Sequence, residues 1–156
     1  MSEVRIATPA DRDGMIDLLH MMYAENGVAS LSVAKMLDFL DRGLSRDKAI
    51  IGVIEDDGVI KASIGLFAHS WWYSEDYHIE DTWCFVHPDY RKSTYAKDLL
   101  RFAKKCADDL GVQLLIGILS SERTAAKVRL YEKEFGPSMG SGFVYPHPRA
   151  TDKEVA

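Results

Sequence analysis

Three groups of residues in this 156-residue chain have types and spacings that could do chemistry. Arg91-Lys92-Ser93-Thr94 sets two cations and two hydroxyls directly ahead of an apolar helical pattern. At a helix start the first backbone N–H groups lack helical partners and the dipole favours negative charge, so the stretch suits a phosphate or pyrophosphate. It has none of the glycines that let backbone close around phosphates. Ser93 or Thr94 capping a helix, with Arg91 and Lys92 in water, accounts for the same residues. Glu80 and Asp81 are adjacent carboxylates in an apolar and aromatic run, on opposite faces if that run is a strand. A carboxylate facing a pocket can take a proton from an amine or from water. A solvated acid at a strand end explains Glu80 equally well. Tyr131 follows a helical pattern beside Phe135. A phenol keeps its proton at neutral pH and can donate it, or the ring can simply pack.

Other reactive groups are less well placed. Cys84 sits in an apolar strand with no helix start beside it to favour a thiolate, and Cys106 falls on a long helix, so neither reads as a nucleophile. The five histidines show no metal-ligand spacing. His78 and Glu80 share a strand face without a third ligand. Trp71, Trp72 and Tyr73 lie in a segment rich in acids and could meet a cationic amine, although packing of the hairpin is the commoner fate.

These residues need elements to hold them. VRIA reads as a short strand. TPADRDGMIDLLHMMYAEN reads as a helix opened by Thr8 and Pro9, and SVAKMLDFLDRGL as a second helix stopped by Gly43. KAIIGVIEDDGVIKASIGLFAHS is a hairpin turning at Asp57-Gly58. YHIEDTWCFV is a strand ended before Pro88. TYAKDLLRFAKKCADDLG is a helix with Ala96, Leu99, Leu100, Ala103, Ala107 and Leu110 inward and Gly111 as its cap. VQLLIGIL is a continuous apolar strand, RTAAKVRLYEKEFG a fourth helix, and GSGFVYPH a last strand. The order is β-α-α-β-β-β-α-β-α-β, an α/β (α+β) arrangement with helices on the faces of a mixed sheet. One domain is expected over residues 1–148, followed by a polar tail at 149–156.

Composition sets outer bounds. Apolar residues make up 47% and charged residues 28%, the balance of a globular domain with a real core. A formal charge of -5 argues against a nucleic-acid partner and suits a neutral or cationic substrate. Two cysteines, an N-terminus unlike a signal peptide and no membrane-length apolar run point to a reducing, cytoplasmic setting without membrane attachment. A homodimer is the assembly to test.

The stretch VHPDYRKSTYAKDLLRFAKKCA resembles the cofactor motif of the GNAT superfamily of N-acetyltransferases. In that motif a strand ends in an apolar residue, then come Arg or Gln, two variable residues, Gly, one variable residue, and Gly or Ala. Val86 ends the strand, Arg91 opens the loop, Thr94 stands at the first glycine and Ala96 at the second. RLYEKEFG is similar to the family's late LYEKLGF helix, with Tyr131 at the tyrosine. The glycine-free loop resembles small acetyltransferase-like proteins of bacteriophages. The resemblance covers nearly the whole chain. It implies a central sheet of six to seven strands with about four helices, splayed between the parallel strands TWCFV and LLIGIL.

It also implies transfer of an acetyl group from acetyl-CoA to a small-molecule or peptide amine in a ternary complex, with coenzyme A as product. Under it, Arg91, Lys92, Ser93, Thr94, Tyr95 and Ala96 hold the pyrophosphate, and Cys84, Phe85 and Val86 hold the pantetheine and thioester. Thr124 and Lys127 stand where many members have asparagine and alanine near the pantetheine arm. Glu80 is the expected base and Tyr131 the expected acid toward the leaving thiolate. The alternatives are a degenerate domain that binds coenzyme A or a partner without turnover, which Thr94 favours, and an interaction protein that kept only the fold.

Overall fold

The computed structural model describes residues 3–120 and 122–148. Strand β1 (Arg5–Ile6) leads through a single 3-10 turn at Pro9–Asp11 into helix α1 (Arg12–Asn26), followed by α2 (Val33–Leu44). The Asp11 carboxylate accepts the Thr8 N–H at 2.8 Å and two hydrogen bonds from the Arg5 guanidinium, so the helix start is tied to the first strand. Strands β2 (Ala49–Asp56) and β3 (Val59–Ser70) form the expected hairpin. Asp57 and Gly58 both have positive φ, the geometry whose twist matches a two-residue hairpin. Strand β4 (Tyr77–Val86), helix α3 (Tyr95–Leu110), strand β5 (Gln113–Leu115) and helix α4 (Thr124–Phe135) complete the chain.

The sheet runs β1-β2-β3-β4-β5, antiparallel except for the parallel β4–β5 pair. Its two faces carry two cores. One packs Met15, Leu18, Leu19, Leu40 and Leu44 of α1 and α2 on Ile51, Val53, Phe67, Trp83 and Phe85. The other packs Tyr95, Leu99, Ala103 and Ala107 of α3 on Ile54, Ala62, Ile64, Leu66 and Ile79. Leu110, expected on that inner face, is exposed; Tyr95, one residue before the expected face, is buried.

Several sequence expectations are corrected. Among the described residues the sheet has five strands, not six to seven. GSGFVYPH is not a strand; Phe143 and Tyr145 are almost fully exposed. VQLLIGIL is a strand only over Gln113–Leu115. Continuous apolar character reflected a segment that leaves the sheet to line a cavity rather than one covered on both faces. Gly43 does not stop α2 either. It lies inside the helix, where a Cβ would collide with the Ile51 side chain, so its smallness seats the helix on the sheet. The expected polar tail, 149–156, lies outside the described residues. Among the described residues no helix is long and apolar enough to cross a membrane.

The register between β3 and β4 slips once. Gly65 faces Trp83 and Leu66 faces Asp81, which leaves Thr82 as the extra residue of a β-bulge. The Trp83 ring lies on Gly65, and its Nε1–H donates to Ser63 Oγ at 3.0 Å. A Cβ at residue 65 would sit 2.6 Å from that ring. Gly65→Ala is therefore expected to cost about 1–3 kcal/mol through overpacking. Gly117→Ala, where a Cβ meets nothing within 4 Å, is its near-neutral control. Urea denaturation of the two variants beside wild type checks this.

Candidate active site

The parallel ladder between β4 and β5 is short. His78, Ile79 and Glu80 face Gln113, Leu114 and Leu115, and pairing then stops. At the stop, Asp81 Oδ1 accepts the Gly117 N–H at 3.0 Å. A side chain takes the donor that a further rung would have used, and the two segments part beyond it. Between them opens a cavity of about 740 Å³. Its walls include Thr82 to Val86 on one side and Leu115 to Ser120 on the other, with Ala126, Lys127, Leu130 and Tyr131 of α4 across the mouth.

The bulge decides which side chains meet there. Ile79 belongs to the α3 core, whereas Trp83 and Phe85 belong to the α1–α2 core and Cys84 and Val86 pack against the α3 core. Alternation has shifted by one residue across Thr82. Asp81, opposite Leu66 of the α3 core, thus falls on the side of Cys84 rather than opposite it. Tyr131 and Cys84 are neighbours there, each influencing the other's hold on its proton. Burial pushes the Cys84 thiol up to about 12, so it is no thiolate. Burial, with Cys84 and Asp81 nearby, pushes the Tyr131 phenol further above its ordinary value and keeps its proton on. Burial likewise lifts the Asp81 carboxyl to about 6, with Glu80 adding to the rise and the Gly117 hydrogen bond opposing it. Lys127 donates to Ser120 Oγ, and burial lowers its pKa, with Arg91 adding to the fall.

Glu80 also lines the cavity but sits differently. It pairs in register with Phe67 of the α1–α2 core, its side chain is 43% exposed, and its Oε2 lies 3.6 Å from His78 Nε2. The loop toward α3 meets the far end of the cavity through Tyr90, Arg91, Ser93 and Ala96. Ser93 Oγ accepts the Tyr95 N–H at 3.2 Å and donates to the Tyr90 carbonyl, so Ser93 does the capping. The first helical bond is Asp98 N–H to the Thr94 carbonyl, which leaves the N–H groups of Ala96 and Lys97 ahead of it. Thr94 turns its hydroxyl to Asp98 Oδ2 at 2.7 Å. Arg91 is not a loose cation. It donates to the Val86 carbonyl at 3.2 Å and forks onto Glu25 at 2.7 Å, over the Phe85 ring.

Of the residues expected at the site, the cavity gathers Glu80, Cys84, Phe85, Val86, Arg91, Ser93, Ala96, Lys127 and Tyr131. Lys92, Thr94, Tyr95 and Thr124 do not line it. Lys92 is exposed, Tyr95 is buried in the core against Tyr90, and Thr124 donates to the Ser120 carbonyl. Trp71 instead stacks on His78, and Trp72 is 94% exposed. The cavity adds Asp81, Thr82, Gly117 and Arg123. Asp81 was visible only as the neighbour of Glu80, because a bulge and a cross-strand N–H leave no mark in the sequence.

The fold is thus an α+β sheet, antiparallel up to its one parallel seam and parted there, with a helix start at the end of the gap. Residues 47–134 match the family profile described as Acetyltransferase (GNAT) domain. The chain belongs to that family. It is 33% identical over 113 residues, 72% of its length, to an amino-acid acetyltransferase of Mannheimia succiniciproducens, and spans only 23% of that relative. Solved structures share the fold. One is AAC(6')-Iy in complex with the bisubstrate analogue CoA-S-monomethyl-acetylneamine, at TM-score 0.74 and 14% identity, covering 93% of this chain and 97% of that one. Another is a protein described as a predicted acetyltransferase, with acetyl-CoA, from Clostridium acetobutylicum, at TM-score 0.73 and 13% identity, covering 96% and 98%.

The raised Asp81 carboxyl has a thermodynamic signature. Its folded pKa lies above its unfolded one, so the folded state holds the proton more tightly and stability falls as pH rises from about 4 to about 6. Two pKa units amount to roughly 3 kcal/mol. Asp81→Asn keeps an oxygen for the Gly117 N–H and cannot ionise. The variant is expected to gain on wild type at pH 7.5 by up to about that much relative to pH 4, read by urea melts at both values. An equal offset at both would mean that Asp81 ionises as freely as in water.

Proposed function

We propose that this domain moves an acetyl group from acetyl-CoA to a primary amine, directly and within one ternary complex. The observation that carries this is the parted β4–β5 seam, which brings Asp81, Cys84 and Tyr131 into one cavity that ends at the start of α3. The residues suit the cofactor. Its anionic end fits the N–H groups of Ala96 and Lys97 and the cations Arg91, Arg123 and Lys127. Its long neutral arm fits the apolar wall from Cys84 to Val86. When bound, it supplies an acyl group activated as a thioester.

The chain's own residues then handle protons. Asp81, half-buried and ionised above about pH 6, accepts the proton that the ammonium must lose, directly or through one water. Glu80 is another carboxylate of the cavity and the base expected from the motif; its exposure makes it the weaker choice. Tyr131, protonated at every working pH, holds its proton beside Cys84 at the seam and can deliver it to the departing sulfur. Cys84 serves as a neutral wall of the cavity.

A second reading, a binding domain without turnover, draws support from Arg91. Its fork is already engaged by Glu25 and its Nε by the Val86 carbonyl, and Thr94 fills the place of a glycine. Calorimetric titration with coenzyme A, paired with thiol release from acetyl-CoA over a panel of amines, separates the two. Binding without acceleration by any amine favours the binder.

If the transfer reading holds, kcat/KM should fall on the acid side with an apparent pKa near 6, and Asp81→Asn should lower kcat about 10²–10⁴-fold. Glu80→Gln should leave the acid limb in place. An acid limb abolished by Glu80→Gln and kept by Asp81→Asn would transfer the role to Glu80. Tyr131→Phe keeps the ring against Phe135 and removes the proton. It should lower kcat by a comparable factor with coenzyme affinity little changed. Normal turnover would reduce Tyr131 to a packing ring.

A further inference from the structure

A second cavity, about 370 Å³, opens beside the first. It lies between the C-terminal half of α1, the loop at 27–32, the start of α2 and the Trp83 face of β4. Met22, Thr82, Trp83 and Leu119 line both cavities, so the space is continuous. The bulge residue Thr82 marks the junction, next in sequence to Asp81.

The groove is apolar. Val28, Leu31, Met36 and Phe39 form much of its wall, and Val28 and Leu119 stand 42% and 62% exposed at its rim. Among the described residues no aspartate or glutamate lines it. Its one charged side chain is Lys35, exposed on the first turn of α2. The carboxylates near the reaction, Glu25, Glu80, Asp81 and Glu122, all belong to the first cavity. The chain's surplus of -5 is therefore not spent on this groove. A polyamine or a basic peptide would bring a second ammonium into a place with no carboxylate to receive it and one lysine to repel it.

Resting on the acetyl-transfer reading, we propose that the acceptor is a monoamine with an apolar aliphatic or aromatic body. The amino group sits at the Thr82 junction, where the groove opens into the cavity that Asp81 lines, and the body fills the groove. Lys35 is the residue that discriminates against a second positive charge. In the step itself the amine nitrogen bonds to the acetyl carbon and the carbon–sulfur bond breaks. The electron pair leaves with the sulfur, which gains one proton, and the nitrogen gives one up.

The test compares ethylamine, butylamine, hexylamine, 1,6-diaminohexane and spermidine as acceptors with saturating acetyl-CoA. Each methylene that enters the groove should raise kcat/KM roughly fourfold until the groove is full. The diamine, equal to hexylamine in length, should fall at least tenfold below it. Lys35→Glu should narrow that gap severalfold at low salt and much less at 0.5 M salt, since exposed charges are screened. Binding of hexylamine and of the diamine, followed through the Trp83 indole N–H resonance, reads the groove without turnover. Preference for spermidine or the diamine, or rates independent of chain length, would overturn the proposal while leaving acetyl transfer standing. Hexylamine bound in preference to the diamine, with no turnover of any amine, would sink acetyl transfer and uphold the groove's ligand chemistry.

Discussion

The hydrogen bond from the Gly117 N–H to the Asp81 carboxylate marks where β4 and β5 stop being one sheet. Everything the cavity does depends on that substitution of a side chain for a rung. A continued parallel ladder would leave no gap, and a gap without the carboxylate would take from the Gly117 N–H the acceptor it has where pairing ends. The bulge at Thr82 makes the arrangement reachable by re-aiming the strand just as pairing ends. Gly65 makes the bulge packable, because only a residue without a side chain leaves space for the Trp83 ring. Bulge, glycine and carboxylate are three parts of one device.

The same geometry sets the electrostatics. Cys84, Tyr131 and Asp81 sit together, each half-buried, and burial is the largest influence on the proton affinity of each. It pushes all three toward their protonated forms, but from different starting points. The thiol and the phenol stay neutral throughout, whereas the carboxyl is carried into the range where it can exchange a proton near neutrality. A single environment thereby separates a base from an acid without any metal-binding cluster among the described residues.

Much of this was legible in the sequence, and the limits are physical. Helix caps, the Asp57-Gly58 turn and the period of α3 depend on neighbours in the chain, so local reading recovers them. Tyr131, Val86, Arg91, Ser93 and Ala96 were found because motif order carries them into the cavity. What failed depends on partners distant in sequence. QLLIGIL has the composition of a doubly covered strand, yet only three of its residues find a strand to pair with. Gly43 looks like a helix stop until Ile51 is placed beside it. Arg91 looks like a free cation until Glu25, 66 residues away, takes its fork. Thr94 and Tyr95 face away from the cavity because Ser93 holds the cap and Tyr95 is needed in the core.

Strand β5 has a consequence of another kind. It is the last strand of the sheet, three residues long, and pairs with β4 alone among the described residues. From Gln113 to Leu119 the chain carries no charge and no proline, and Leu115 and Leu119 are exposed. Sheet edges in soluble domains are normally guarded by lysine, proline or a covering loop, because bare backbone groups recruit another strand. The opposite edge has such a guard: Arg5 of β1 is held between Asp11 and Glu55. At β5 the seam has been opened for the cavity and the margin left plain. In concentrated solution this margin is where molecules would adhere to one another, and Leu115 is the position at which a lysine would keep them apart.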